Sequence, residues 1–274
     1  MEYSPKKMSD NLSSNGFNFK KKFGQNFIND NNIINKIIDA SNVEKDSLII
    51  EIGPGAGALT KKLVEKGKVL AYEIDTDLEG YLLETFKDYD NIDFIFEDFL
   101  DRDIKEDIKK YSYNKLYVIA NLPYYITTPI INKIISSDIN VYKIVIMVQK
   151  EVGDRFCAKV GTKDYSSITV FLNYYFDIKK EFIVSRNAFY PRPNVDSIVI
   201  SLTRKSNNYE VKDENKLFEL IRESFKYKRK NLKNNLKKYD FAKIEHVLNT
   251  FGMDQNARAE QLTLEQFIEI SNVI

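Results

Sequence analysis

A mostly parallel α/β sheet followed by a small all-helical domain is the fold class this sequence predicts, and three observations predict it. Short β-branched and aromatic runs alternate with helix-period stretches between about residues 48 and 148. Beyond about Lys205 the strand signal disappears while helical periodicity continues. A chain of 274 residues with 43% hydrophobic content is long enough to bury one sizeable core and one small extra domain.

Taken in chain order, residues 1–19 are polar, rich in Ser, Asn and Lys and without apolar periodicity, so a disordered tail is expected there. Strands are expected at 48–52, 69–74, 92–96, 116–120 and 141–148, with helices at 59–66 and 78–87 between them. Two further strands, at 176–184 and 195–202, bring the sheet to seven, and 166–175 reads equally as helix or strand. Helices are then expected at 215–227, 230–238, 241–251 and 264–270. The domain division that follows is 1–19 tail, 20–204 α/β domain and 205–274 helical domain.

Composition narrows the chemistry. A single cysteine, Cys157, and a single histidine, His246, exclude disulfide frameworks and Cys/His metal sites, so no metal is expected and no imidazole base is at hand. No apolar run approaches the ~20 residues of a membrane span, and the start carries no apolar signal core, so a cytoplasmic protein is expected. The net charge of +1 conceals an uneven distribution. Residues 51–100 hold five basic against twelve acidic side chains, whereas 222–243 hold nine against two. Arg222, Lys226, Lys228, Arg229, Lys230 and Lys233 belong to this second stretch, which suits either a polyanion or a solvated helix face.

In a parallel α/β sheet, ligands bind beyond the carboxyl ends of the strands. The first such end reads "EIGPGAG", in which Gly53, Gly55 and Gly57 permit a tight turn and close approach of backbone to a ligand. Its third glycine comes one position earlier than in the G-x-G-x-x-G of dinucleotide sites, a spacing that suits a ligand without a pyrophosphate. Glu73, in "YEID", lies at the second strand end, where a carboxylate can accept from ribose hydroxyls. Asp98, in "FEDFL", follows the third, placed to accept from an adenine amino group, and Asn121 in "NLPYY" follows the fourth. Each alone is no more than a capping or solvated polar residue; the order and spacing of all four make a nucleoside-type site.

With those residues in view, the chain resembles the S-adenosylmethionine-dependent ribosomal RNA adenine N6,N6-dimethyltransferases, and among them the small-subunit enzymes. "KKFGQNFIND" (21–30), "EIGPGAGALT" (51–60), "NLPYYITTPII" (121–131), "MVQKEVGDRF" (147–156), "FYPRPNVDS" (189–197) and "FKYKRKNLKNNL" (225–236) carry the resemblance, which covers about residues 20–270. Phe23, Ile28 and Gly153 depart from it in minor ways. The resemblance implies a Rossmann-like class I methyltransferase domain, S-adenosylmethionine as cofactor, and a donor site of Asn26, Ile28, Gly53, Gly55, Glu73, Asp98 and Asn121. It also implies small-subunit ribosomal RNA, within an assembling particle, as partner, with no membrane; a monomer is expected.

An exocyclic adenine amine is a poor nucleophile because its lone pair is delocalised into the ring. The Asn121 side-chain carbonyl and the Leu122 backbone carbonyl can each accept one N–H, favouring a tetrahedral nitrogen, while Pro123 stiffens the turn. Tyr124 offers a stacking face, and Phe189 is the candidate for a second face opposite it. Lys20–Lys22 and the 222–243 segment are expected to hold the RNA backbone. Three alternatives stand beside this reading: a large-subunit RNA dimethylase, a DNA adenine methyltransferase and a non-catalytic RNA-binding assembly factor.

Overall fold

The computed structural model describes residues 26–28, 30–206 and 209–274. The expected tail, 1–19, and Lys20–Lys22 lie outside the described residues. The strands are β1 (Phe27–Ile28), β2 (Leu48–Ile52), β3 (Lys68–Tyr72), β4 (Ile92–Ile95), β5 (Leu116–Asn121), β6 (Val141–Gln149), β7 (Phe176–Val184), β8 (Phe189–Tyr190) and β9 (Ser197–Arg204).

Seven of them form one sheet in the order β4-β3-β2-β5-β6-β9-β7, and β1 pairs antiparallel with β8 in a separate ribbon. The β3–β4, β2–β3, β2–β5 and β5–β6 ladders are parallel, and β9 runs antiparallel to β6. All five residues of β2 and the first five of β5 are buried, as expected of parallel strands covered on both faces. Chain order reverses between β2 and β5, because β3 lies on one side of β2 and β5 on the other. That reversal opens a crevice off the strand ends, and the polar residues of "EIGPGAG", "YEID" and "NLPYY" are set around it.

The chain divides into two compact units. One takes the chain up to Lys150 together with Lys179–Thr203, and the other takes Glu151–Ile178 and Arg204–Ile274. Residues 151–178, which the sequence reading places in the α/β domain, thus cluster with the helical part. The segment that read as either helix or strand is the helix Ser167–Tyr175, and it buries Val170 and Tyr174 in the core of the second unit with Leu217, Leu220, Ile244, Leu248 and Phe267. Its start is fixed by a capping box in which the Ser166 N–H donates to Thr169 Oγ1 at 3.2 Å.

Several expected helices are shorter than their periodicity suggests. The helix after the glycine turn spans only Thr60–Leu63. In the second unit one helix stops at Ser224 and the next runs only from Leu232 to Asn235, so Lys226, Lys228, Arg229 and Lys230 sit on a connecting loop. Asn235 causes this. Its buried side chain donates from Nδ2 to the Ser224 and Tyr227 carbonyls at 2.7 and 3.3 Å, and Oδ1 accepts the Tyr227 N–H at 3.2 Å. A side-chain amide that satisfies the backbone this way competes with continued helix.

Candidate active site

The glycine turn is shaped by backbone sterics. Gly53, Gly55 and Gly57 all have positive φ (74°, 56° and 77°), a region where side chains are strained. Gly55 is constrained twice, because a Cβ there would run into the ring of Phe27. The Gly53 N–H donates to the Tyr72 carbonyl at 2.8 Å, which ties the turn to the end of β3.

Glu73 closes the same wall. It is 4% exposed, its Oε2 accepts the Gly55 N–H at 2.9 Å and its Oε1 accepts the Asp75 N–H at 2.9 Å. Burial raises its pKa, and the two backbone donors pull in the other direction. Each oxygen has a second lone-pair site, so the carboxylate can brace the glycine turn and still accept from a ligand.

The opposite wall is the end of β5. Asn121 Nδ2 donates to the Asn26 carbonyl at 3.0 Å. With its donor side engaged there, the amide presents Oδ1 as its acceptor. Leu122 follows, with its N–H donating to the Met147 carbonyl of β6 at 3.1 Å. Thr127 Oγ1 donates to the Pro123 carbonyl at 3.3 Å, which fixes the turn into the single tight helical turn Tyr124–Ile126. The Tyr124 hydroxyl and Ser197 Oγ are 2.6 Å apart. Burial pushes the phenol pKa up, against the opposing effect of that hydrogen bond, so the ring is a neutral, tethered face.

One cavity is lined by Asn26, Ile28, Gly53, Gly55, Glu73, Asn121, Leu122, Pro123 and Tyr124, together with Glu51, Phe27 and neighbouring turn residues. The structure therefore brings together nine of the predicted site residues from four separate stretches of chain. Asp98 and Phe189 are not in that wall. Asp98 Oδ1 instead caps the following turn by accepting the Leu100 N–H at 2.9 Å. Phe189 is 3% exposed and packed in the core, paired across the β1–β8 ribbon with Ile28. It has no free face in this structure, and the neighbouring Tyr190 is the exposed ring of the pair. Arg222, Lys226, Lys228, Arg229, Lys230 and Lys233 are all exposed on the second unit. Lys226 lies 3.5 Å from Glu223, and Lys233 Nζ donates to Gln255 Oε1 at 2.6 Å.

Sequence reasoning assigned no role to three residues of this site: Glu51, Phe27 and Ser197. Glu51 was within reach, as an acid inside an apolar strand next to the glycine turn. Ser197 had no local signal, being 73 positions from the hydroxyl it meets.

A family model described as ribosomal RNA adenine dimethylase matches residues 16–274. Two curated relatives named ribosomal RNA small subunit methyltransferase A, from Geobacillus thermodenitrificans and Bacillus cytotoxicus, are 43% and 42% identical. Each match covers 98% of this chain and 96% of the relative. Among solved structures, a dimethyladenosine transferase from Plasmodium falciparum superposes with a TM-score of 0.73 at 26% identity, covering 89% of this chain and 95% of that one. The 23S rRNA methyltransferase ErmE superposes with a TM-score of 0.71 at 25% identity, covering 90% and 98%.

Proposed function

The chain belongs to the ribosomal RNA adenine dimethylase family, and from that premise we propose that it transfers methyl groups from S-adenosylmethionine to N6 of two adjacent adenines in small-subunit ribosomal RNA. The observation that carries this reading is the strand-end tetrapeptide Asn121–Tyr124, whose amide is oriented by Asn26 and whose aromatic face is tethered by Ser197. It shares one cavity with the glycine turn.

The cavity suits the donor. A side chain at Gly55 would fill the cradle against Phe27, so a bare backbone is what admits a ligand there. Glu73 faces the space where a ribose would present its hydroxyls, and Asp98, beyond the cavity wall, would receive the adenine amino group. Bound S-adenosylmethionine supplies an electrophilic methyl on a sulfonium. The protein's share is to aim the nucleophile. Asn121 Oδ1 and the Leu122 carbonyl accept the two N–H bonds of the target amine, leaving its lone pair toward the donor. Both acceptors are held by the sheet before substrate arrives, so their reorganisation adds little to the barrier. Tyr124 holds the extruded base by stacking, at about 1–3 kcal/mol per base. After transfer the alkylated amine is acidic and loses a proton to water, so no side-chain base is needed. The monomethylated product keeps one N–H and a lone pair for a second transfer.

A large-subunit target is the second reading, since ErmE has the same fold at 25% identity. The higher identity, 43%, to a relative named for the small subunit favours the first. Within small-subunit RNA, the loop of the 3′-terminal hairpin offers unstacked adenines, and the exposed cations of the second unit suit the phosphates of an assembling particle. Methyl incorporation into immature small subunits, large subunits, a free hairpin and single-stranded DNA at one salt concentration, with nuclease mapping, tests this. Labelling of the small-subunit adenines is expected. Dominant labelling of a large-subunit adenine or of DNA would overturn it, and donor binding without any labelling would leave a scaffold.

A further inference from the structure

Glu51 is a carboxylate in a place where an ion is hard to keep. It sits next to the carboxyl end of the buried β2, 1% exposed, and its Oε2 has no hydrogen-bond partner. Thr60 Oγ1 is its polar neighbour from the following helix and draws the acid's pKa down somewhat. Yet that hydroxyl is also buried without a properly formed bond. A second carboxylate, Glu73 just after β3, lies in the same wall and its charge opposes ionisation of Glu51. Both belong to the cavity wall. The titratable side chains of that wall, among the described residues, are Glu51, Glu73 and Tyr124, with no lysine, arginine or histidine. From β5 the wall adds only the neutral amide of Asn121.

Two carboxylates in one wall, with no cation among the described residues to balance them, cannot both be cheaply ionised when the cavity holds no cationic ligand. Glu73 has two backbone N–H donors for its charge, and Glu51 Oε2 has none. The proton therefore resides on Glu51, whose pKa burial pushes up to about 8. S-adenosylmethionine, with a sulfonium and an ammonium against one carboxylate, brings a net positive charge to this wall.

We propose that donor binding is coupled to ionisation of Glu51: as the donor's sulfonium and ammonium enter the cavity, the carboxylic acid releases one proton to solvent and becomes a carboxylate stabilised by their positive charge. This rests on S-adenosylmethionine being the donor. Atoms and charge balance as the acid O–H breaks heterolytically, the electron pair stays on Glu51 and the proton goes to water or buffer. The coupling favours the positively charged donor over the spent product, in which the sulfonium has become a neutral thioether.

The test is titration calorimetry of the full chain with S-adenosylmethionine in buffers of different ionisation enthalpy. At pH 7 the wild type should release close to one proton on binding. Over and above the donor's own ammonium titration, its affinity should rise up to about tenfold from pH 6 to 7, the limit for release of one proton. Glu51→Gln should bind with no such release, and the pH dependence that remains should be the donor's own. A wild type that binds without release decides against the inference on its own, whether or not the variant folds. Binding by the wild type without proton release overturns the inference and leaves the donor reading standing. Equal release by the Glu51→Gln variant also overturns it. No binding by the wild type overturns both.

Discussion

The cavity of the first unit, the proposed donor site, and the cationic segment of the second handle charge in opposite ways. In the cavity, few polar groups act, each at least partly buried, and three of them are held by named partners: Glu73 by Gly55 and Asp75, Asn121 by Asn26, Tyr124 by Ser197. On the 222–243 segment, nine cations face two acids, the six assigned to RNA are all exposed, and Asn235 shapes the loop that carries four of them. Buried groups act through position, because in a low dielectric an unmet hydrogen bond is costly. Exposed cations act through their sum, since water and salt screen any one of them. Single substitutions should therefore cut deep in the cavity and shallow on the segment.

The largest effect expected is at Asn121. Asn121→Ala removes an acceptor that matters mainly at the transition state, so single-turnover methyl transfer should slow about 10²-fold with RNA affinity nearly unchanged. A variant close to the wild-type rate would remove Asn121 from the chemistry and break the comparison at its strongest point. Next is Glu73→Ala, which strips the glycine turn of its brace. Donor affinity measured by calorimetry should fall by about 1–3 kcal/mol.

Smaller per step is a pH effect on the donor-free protein. Folded Glu51 ionises near 8, against 4.5 for the ordinary group, so the folded state holds a proton that the unfolded state has lost across that window. Wild-type stability should thus decline as pH rises from about 4.5 to 8, by at most about 1.4 kcal/mol per unit. Glu51→Gln lacks this decline. The gap between the two thermal midpoints should widen toward pH 8, and parallel curves would show Glu51 ionised throughout. On the other side of the comparison, converting Arg229, Lys230 and Lys233 together to Glu should leave donor affinity untouched. The salt slope of RNA binding should flatten by about 0.7–0.9 for each phosphate that is no longer neutralised. An unchanged slope would make the segment an ordinary solvated surface.

Much of this was legible in the sequence because the signals are local. A glycine that must take positive φ, a strand run that ends in a polar residue, and a density of like charge are each contained in a few consecutive positions. Gly53, Gly55, Glu73 and Asn121 were found that way, and all four line the cavity. Phe189 shows the limit. An aromatic at a strand end next to prolines reads the same whether its ring faces solvent or core, and pairing with β1 turned it inward. Asp98 likewise reads as a strand-end acid, and only the fold commits one of its oxygens to capping a turn.

What the sequence determined by itself is the alternation that makes a parallel sheet, the glycine turn and the acids and amide at successive strand ends, because each is imposed by backbone sterics or by burial within a single element. The tertiary structure alone decided which atoms of those residues stay free. The Asn26 carbonyl accepts from Asn121 Nδ2, Ser197 anchors Tyr124, residues 151–178 join the helical unit, and Glu51 keeps an oxygen with no partner. Hydrogen-bond satisfaction and desolvation depend on groups distant in the chain, so no local pattern encodes them.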